Sequence, residues 1–315
     1  MRLTVLCLCI VTIVTGCGHK AEPVTIHRFE QFLFAAPGDK SHGSAADFDS
    51  PLLNYYPEDP EFMGAVADFC NDPVVRRTYE VTDSLYHNLS WLEQELGDAL
   101  ATARRLCPEV RYDRIYTLIT ADFGNYPNRV FCYGSDMAIS IDCYALGHVE
   151  EMQMFGVPNY IMKLCSRKHI AADCMAAAAR SHIVLPEGEL TFLDHAIAEG
   201  KTLYFLDQVL PATPDTIKIR YTREQLEWME ANVAHVWGWL IQNNLPYSTD
   251  LAQLRNLMDD APKTNAFGEG SAPRTGAYIG WQIVRKYMKK SGATMSELLA
   301  DTDSRKILTQ SGWRP

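Results

Sequence analysis

AADCMAAAAR, residues 171–180, decides the fold, because a run of small side chains inside an apolar segment favours helix and lets a neighbouring helix approach closely. The spacing predicts one helix from Pro158 to His182 around it. Working downstream, Phe192 to Leu206 is predicted as a second buried helix. Thr222-Arg223-Glu224-Gln225 is a capping box, whose hydroxyl and amide reciprocally satisfy free backbone N–H groups. It opens a helix to Gln242 with Leu226, Met229, Val233, Trp237 and Leu240 on one face. Arg274 to Lys290 carries Ala277, Trp281, Val284 and Met288 as a stripe, and a second box, Thr294 to Glu297, starts the last part. Trp239 faces away from its helix's stripe and is the expected exposed aromatic of a partner surface.

Upstream, Val81, Leu85, Leu89, Leu92 and Leu96 recur at three- and four-residue steps, predicting a helix from Pro73 that ends near Gly97. Asp113 to Thr120 alternates as a strand does. Arg129 to Tyr133 and Ala138 to Tyr144 read as a hairpin around Gly134-Ser135-Asp136. No repeat or low-complexity block interrupts this order. The fold class is therefore α+β and mostly helical, with a small mixed sheet followed by a helical C-terminal part.

The first seventeen residues, MRLTVLCLCIVTIVTGC, combine one basic residue, an apolar run from Leu3 to Val14, and Gly16 before Cys17. This is the pattern of a bacterial lipoprotein signal peptide ending at a lipidated Cys17. The run is shorter than the roughly 20 residues a helix needs to span a bilayer, whereas two or more acyl chains hold a protein stably at its surface. Residues 18–50, rich in small and polar residues apart from FEQFLF at 29–34, read as a tether and docking segment, leaving 51–315 as a single domain. The chain has 29 basic and 39 acidic residues, a formal charge of −10 that repels phosphate backbones and excludes nucleic acid as a partner class. Arg76-Arg77, Arg104-Arg105 and Lys286 with Lys289-Lys290 are expected as solvated faces. Of nine cysteines, Cys7 and Cys9 leave with the signal. Cys70, Cys107, Cys132, Cys143, Cys165 and Cys174 are expected mostly as buried thiols, with room for one or two bridges.

GxSxG, HExxH, the P-loop and a strand-linked GxGxxG are all missing. What remains is an ordered set: His182, Asp194, His195, Glu199, Arg274 and Tyr278. His182 fits a helix C-terminal cap, where a cationic side chain complements the dipole. His195 and Glu199, one turn apart, suit either two metal ligands or a hydrogen bond. Asp194 and Glu199 could form an acid/base pair, although five residues place them on different faces. Arg274 is expected to pair with a buried Glu199, since a retained carboxylate without metal needs a compensating cation. No catalytic residue, metal or cofactor is assigned.

Ile197-Ala198-Glu199-Gly200-Lys201-Thr202-Leu203-Tyr204-Phe205-Leu206-Asp207, followed by Val209-Leu210-Pro211, resembles a signature of the gliding-motility lipoprotein B (GldB) family of Bacteroidetes-type bacteria. Phe267-Gly268 and the stretch from Pro273 to Val284, PRTGAYIGWQIV, fit the same family. The resemblance implies a zincin-like domain, similar to predicted zinc peptidases in which HExxH on one helix precedes a Glu-Gly pair on the next. Laid on this chain, Ala178 and Ala179 stand where the first ligand and the general base belong, and only His182 survives. The resemblance therefore implies a degenerate cleft with peptidase chemistry lost. Its implied role is structural: an envelope lipoprotein, on the periplasmic side by default, that binds a protein partner in gliding or secretion machinery. His19-Lys20-Ala21-Glu22 is only faintly similar to surface-export tags. The competing readings are a metal-dependent hydrolase with an unorthodox site of His182, His195 and Glu199, and a cell-wall or glycan-binding lipoprotein using Trp239.

Overall fold

Residues with alternating apolar side chains assemble into a four-stranded sheet of order β1-β2-β4-β3 in this computed structural model, which describes residues 20–36, 39–148 and 156–315. The expected signal peptide, with Cys17, lies outside the described residues. β1 (Ile26–Arg28) and β2 (Arg114–Leu118) are parallel, with Ile26 opposite Ile115, and β2 is parallel to β4 (Asp136–Ser140). β3 (Val130–Tyr133) and β4 form the expected hairpin, turned by Gly134 at φ +57°. The second strand of that hairpin stops at Ser140 and continues as a 3-10 turn, Ile141–His148.

Period-two alternation sends Ile115, Met137 and Ile139 into the main core and Tyr116 and Ala138 to the opposite face. That second face is covered by Phe29, Phe32 and Phe48. FEQFLF is thus a short helix, α1 (Phe29–Phe34), and much of the segment expected as a tether is built into the sheet as β1 and its cover.

α2 (Pro60–Asn71), α3 (Pro73–Tyr86) and α4 (Ser90–Leu106) follow. The helix expected from Pro73 to Gly97 is two helices, because the chain turns at residues 87–89 and the Asn88 side chain accepts from Ser90 N at 2.8 Å. Leu85 is consequently exposed. Gly97 does not end α4. It is a notch: a Cβ there would lie 2.5 Å from the Glu22 carbonyl oxygen.

The helix expected over 158–182 also divides, into α5 (Asn159–Leu164) and α6 (Ile170–Arg180), across a 3-10 turn at Arg167–His169. α7 (Phe192–Val209), α8 (Asp215–Ile219), α9 (Arg223–Gln242), α10 (Leu251–Met258), α11 (Thr275–Ser291), α12 (Met295–Ala300) and α13 (Ser304–Ser311) complete the order. Both expected capping boxes are present, at Thr222–Gln225 and Thr294–Glu297.

α7 and α11 form the centre of the helical part. A Cβ on Gly200 would lie 2.4 Å from the backbone of Gly280, and one on Gly280 would lie 1.7 Å from the Ala196 carbonyl oxygen. Only glycine permits this crossing. Trp281 is fully buried beside it, donating Nε1–H to Asp207 at 2.9 Å. Trp239 does not stand free as expected; it is half-buried, edge-on to Phe267 with centroids 5.2 Å apart. The six described cysteines are free thiols, all buried except the half-buried Cys132. Among the described residues no helix is long and apolar enough to cross a membrane.

Candidate functional site

Two arginines sit where the backbone disfavours side chains. Arg220, which ends α8, has φ +67°, and Arg274, which precedes α11, has φ +48°. Non-glycine residues in this region cost of order 1 kcal/mol or more and persist only where their surroundings over-determine them. Here the surroundings are charges. Arg220 donates to Asp260 and to Asp173, both at 2.6 Å. Arg274 donates to Glu199 at 2.8 Å and to the Ile219 carbonyl at 3.1 Å, with Asp260 3.7 Å from its Nε.

Asp173 is the lone acid of the alanine-rich helix and is buried, so it needs compensating cations. Arg129 supplies one at 2.8 Å, Arg220 the other, and the Tyr144 hydroxyl donates at 2.8 Å. Arg180, at the end of α6, grips Glu199 with two bonds of 3.0 and 3.2 Å. The charges therefore alternate as a chain: Arg180, Glu199, Arg274, Asp260, Arg220, Asp173, Arg129.

Burial pushes the Glu199 carboxyl up, but the Arg180 and Arg274 guanidiniums override it and hold the group down at about 2. Burial likewise opposes ionisation of Asp173, and Arg129 and Arg220 hold it well below the usual carboxylate range. Asp260 is lowered against burial by Arg220 and Arg274. Asp259 is raised, because burial outweighs the attraction of Arg255.

A cavity of about 600 Å³ opens over this chain of charges. Glu199, Arg274 and Arg220 line its polar side, and Ile183, Leu185 and Met258 line an apolar side. Leu185 is 47% exposed, so the apolar lining reaches the surface.

The residues expected at the site are only partly united. Glu199, Arg274 and His195 line the cavity, and the expected Arg274–Glu199 ion pair is formed. His182 is not among its lining residues. Its Nδ1 lies 2.9 Å from the Ala178 carbonyl oxygen, fitting the helix-end cap, and its Nε2 lies 3.0 Å from that of Glu109. Asp194 accepts from Thr191 N at 2.9 Å and Thr191 Oγ1 at 2.6 Å as the capping box of α7, which corrects its pairing with Glu199 as acid and base. Tyr278 is buried against Tyr221 and Trp281, outside the cavity lining. Arg180, Arg220, Asp260, Asp173 and Arg129 were not expected. Asp173 alone carried a signal, as the one acid of a helix otherwise apolar up to its terminal Arg180.

These residues do not fit a zinc ion. Among the described residues no three His, Cys, Asp or Glu side chains converge to hold a metal. Glu199, the ligand that a zincin-like layout would supply, is saturated by two guanidiniums whose charge opposes a cation. The family model for gliding motility protein GldB matches residues 18–315. No curated protein matches the chain, and no solved structure does.

Proposed function

Because the chain belongs to the family of gliding motility protein GldB, lipoproteins of the cell envelope, we propose that it is a non-catalytic component of gliding or related secretion machinery, held by lipid on Cys17 and facing the periplasm. The domain is a degenerate zincin-like scaffold in which a small sheet precedes the helix pair α6 and α7. The cavity beside that pair receives a peptide segment of a protein partner: Ile183 and Leu185 contact its apolar side chains, and Arg180 its polar backbone or carboxylate. One observation carries this reading: Glu199 is clamped between Arg180 and Arg274, so the carboxylate on which metal chemistry would depend is already occupied.

Elemental analysis of the soluble part, residues 18–315, after incubation with zinc and desalting tests it. The expected result is no stoichiometric metal. Stoichiometric zinc that disappears in Glu199→Ala would restore the hydrolase reading. A peptide library should bind the wild type and lose binding to Leu185→Asp; equal binding to both would remove the cavity as the receiving surface.

A further inference from the structure

The first described residues are fastened to α4 rather than trailing from it. Ala21 N donates to Asp98 Oδ1 at 2.7 Å, Gln94 Nε2 donates to the Ala21 carbonyl at 2.9 Å, and Val24 N donates to the Glu93 carbonyl at 3.1 Å. Ile26 N donates to Glu93 Oε1 at 3.1 Å, and the Gly97 notch receives the backbone at Glu22 and Pro23. From Ala21 to Ile26 the chain thus runs antiparallel to α4, from Asp98 towards Glu93.

This clamp limits how far the domain can stand from a lipid on Cys17. Four residues from Cys17 to Ala21 reach at most about 14 Å. Along α4, Asp98 to Arg105 is about 10 Å. The last turn of α4 is therefore within reach of the anchored residue.

That turn carries Arg104 and Arg105, both exposed, on a chain whose formal charge is −10. Arg104 donates to the Tyr112 carbonyl at 3.3 Å and Arg105 to Thr102 Oγ1 at 3.1 Å. Among the described residues these bonds run to a carbonyl and a hydroxyl, not to a carboxylate. Each guanidinium keeps donors free for a planar, two-pronged contact with phosphate.

We propose that the C-terminal end of α4 is the membrane-facing surface of the domain, with Arg104 and Arg105 bound to the phosphodiester groups of bilayer lipids. This rests on the lipid-anchor reading of Cys17 given above. The short clamped linker supplies the proximity, and the two arginines supply a local attraction to an anionic surface. The domain then sits against the bilayer in one orientation, not as a ball on a string.

The test is arginine modification by phenylglyoxal, read by peptide mass spectrometry, on the full mature lipoprotein. It is compared in vesicles of phosphatidylethanolamine with phosphatidylglycerol and in a non-ionic detergent. Arg104 and Arg105 should react severalfold more slowly in vesicles, while Arg223, 84% exposed on α9, keeps its rate. Equal rates for Arg104 and Arg105 in vesicles and detergent, with the protein still vesicle-bound, would overturn the orientation while leaving the anchor intact. A Cys17→Ser protein should lose vesicle association. If it stays bound as firmly as the wild type, the anchor reading fails, and this inference with it.

Discussion

The Arg274 guanidinium reaches Glu199 at 2.8 Å from a residue whose own backbone is left-handed. The glycine crossing of α7 with α11 holds the two elements close enough for that contact. Relieving the charge on one side therefore exposes the strain on the other. Glu199→Gln should lower stability at neutral pH by about 3 kcal/mol, because it leaves Arg274 buried without its carboxylate. Urea unfolding of both proteins checks this, and a change below half that size would mean that Asp260 takes over the pairing.

Stability should fall in two acid steps. His169 is buried, and burial depresses its imidazole to about 4. Its unfolded form binds a proton first, so its contribution is present above about pH 6.5 and is lost as pH falls towards 4. Glu199 is depressed to about 2, so the stability it adds is present above its ordinary value of 4.5 and is lost as pH falls through about 2. Each step amounts to roughly 3 kcal/mol. Denaturation midpoints measured from pH 7 to 2 should show both, with the lower step reduced in Glu199→Gln and the upper step reduced in His169→Gln.

Gly280→Ala should be among the costliest conservative changes in the chain. Its Cβ would fall inside the Ala196 carbonyl, so α7 and α11 must move apart at a loss of about 3 kcal/mol. Calorimetry gives the loss directly. A melting temperature within a degree or two of wild type would show that the crossing is looser than described.

Asp207 binds Lys218 at 3.0 Å, Arg285 at 2.7 and 2.9 Å, and the Trp281 indole at 2.9 Å. Asp207→Asn removes the charge while keeping the shape, leaving two cations short of a counter-ion, so it should cost about 3 kcal/mol. Trp281 fluorescence should shift to longer wavelength in the same variant as its surroundings loosen. An unchanged spectrum with lowered stability would confine the damage to the cations.

Gly97→Ala should act locally. The added Cβ meets the Glu22 carbonyl and lifts the clamped segment while the α4 interior remains. The amides of Ala21 and Val24 should exchange faster by roughly tenfold or more, with global stability changed by under about 1.5 kcal/mol. Hydrogen exchange read by mass spectrometry separates the two effects.

Local chemistry made much of this architecture legible. The Thr222 and Thr294 boxes announce their helices, because a hydroxyl and a carboxamide or carboxylate three residues apart solve a problem contained within one turn. Gly134 marks the hairpin for the same reason. The helix breaks at 87–89 and 165–169 were hidden, since the apolar spacing runs across them, while the Asn88 side chain takes the Ser90 amide at the first and Ser166 Oγ meets the His169 ring at the second. β1 was hidden because three residues carry almost no periodicity and their partner strand lies far downstream. At the site, the Glu199–Arg274 pair followed from the need to balance a retained carboxylate. Arg220 and Asp260 could not be read, because each gains meaning only when loops distant in the chain meet over Asp173.

The parallel pairing of Ile26 with Ile115 has a further consequence for the order of assembly. A chain made from its amino end has β1 long before β2 exists to receive it. Antiparallel β3 cannot substitute, because it pairs at the opposite edge. Until Ser140 is made, β4 is incomplete and β2 lacks its second neighbour. β1 therefore stays unpaired until the chain has been made as far as β2. During that interval the nascent chain carries an open strand, the state most exposed to mispairing and proteolysis.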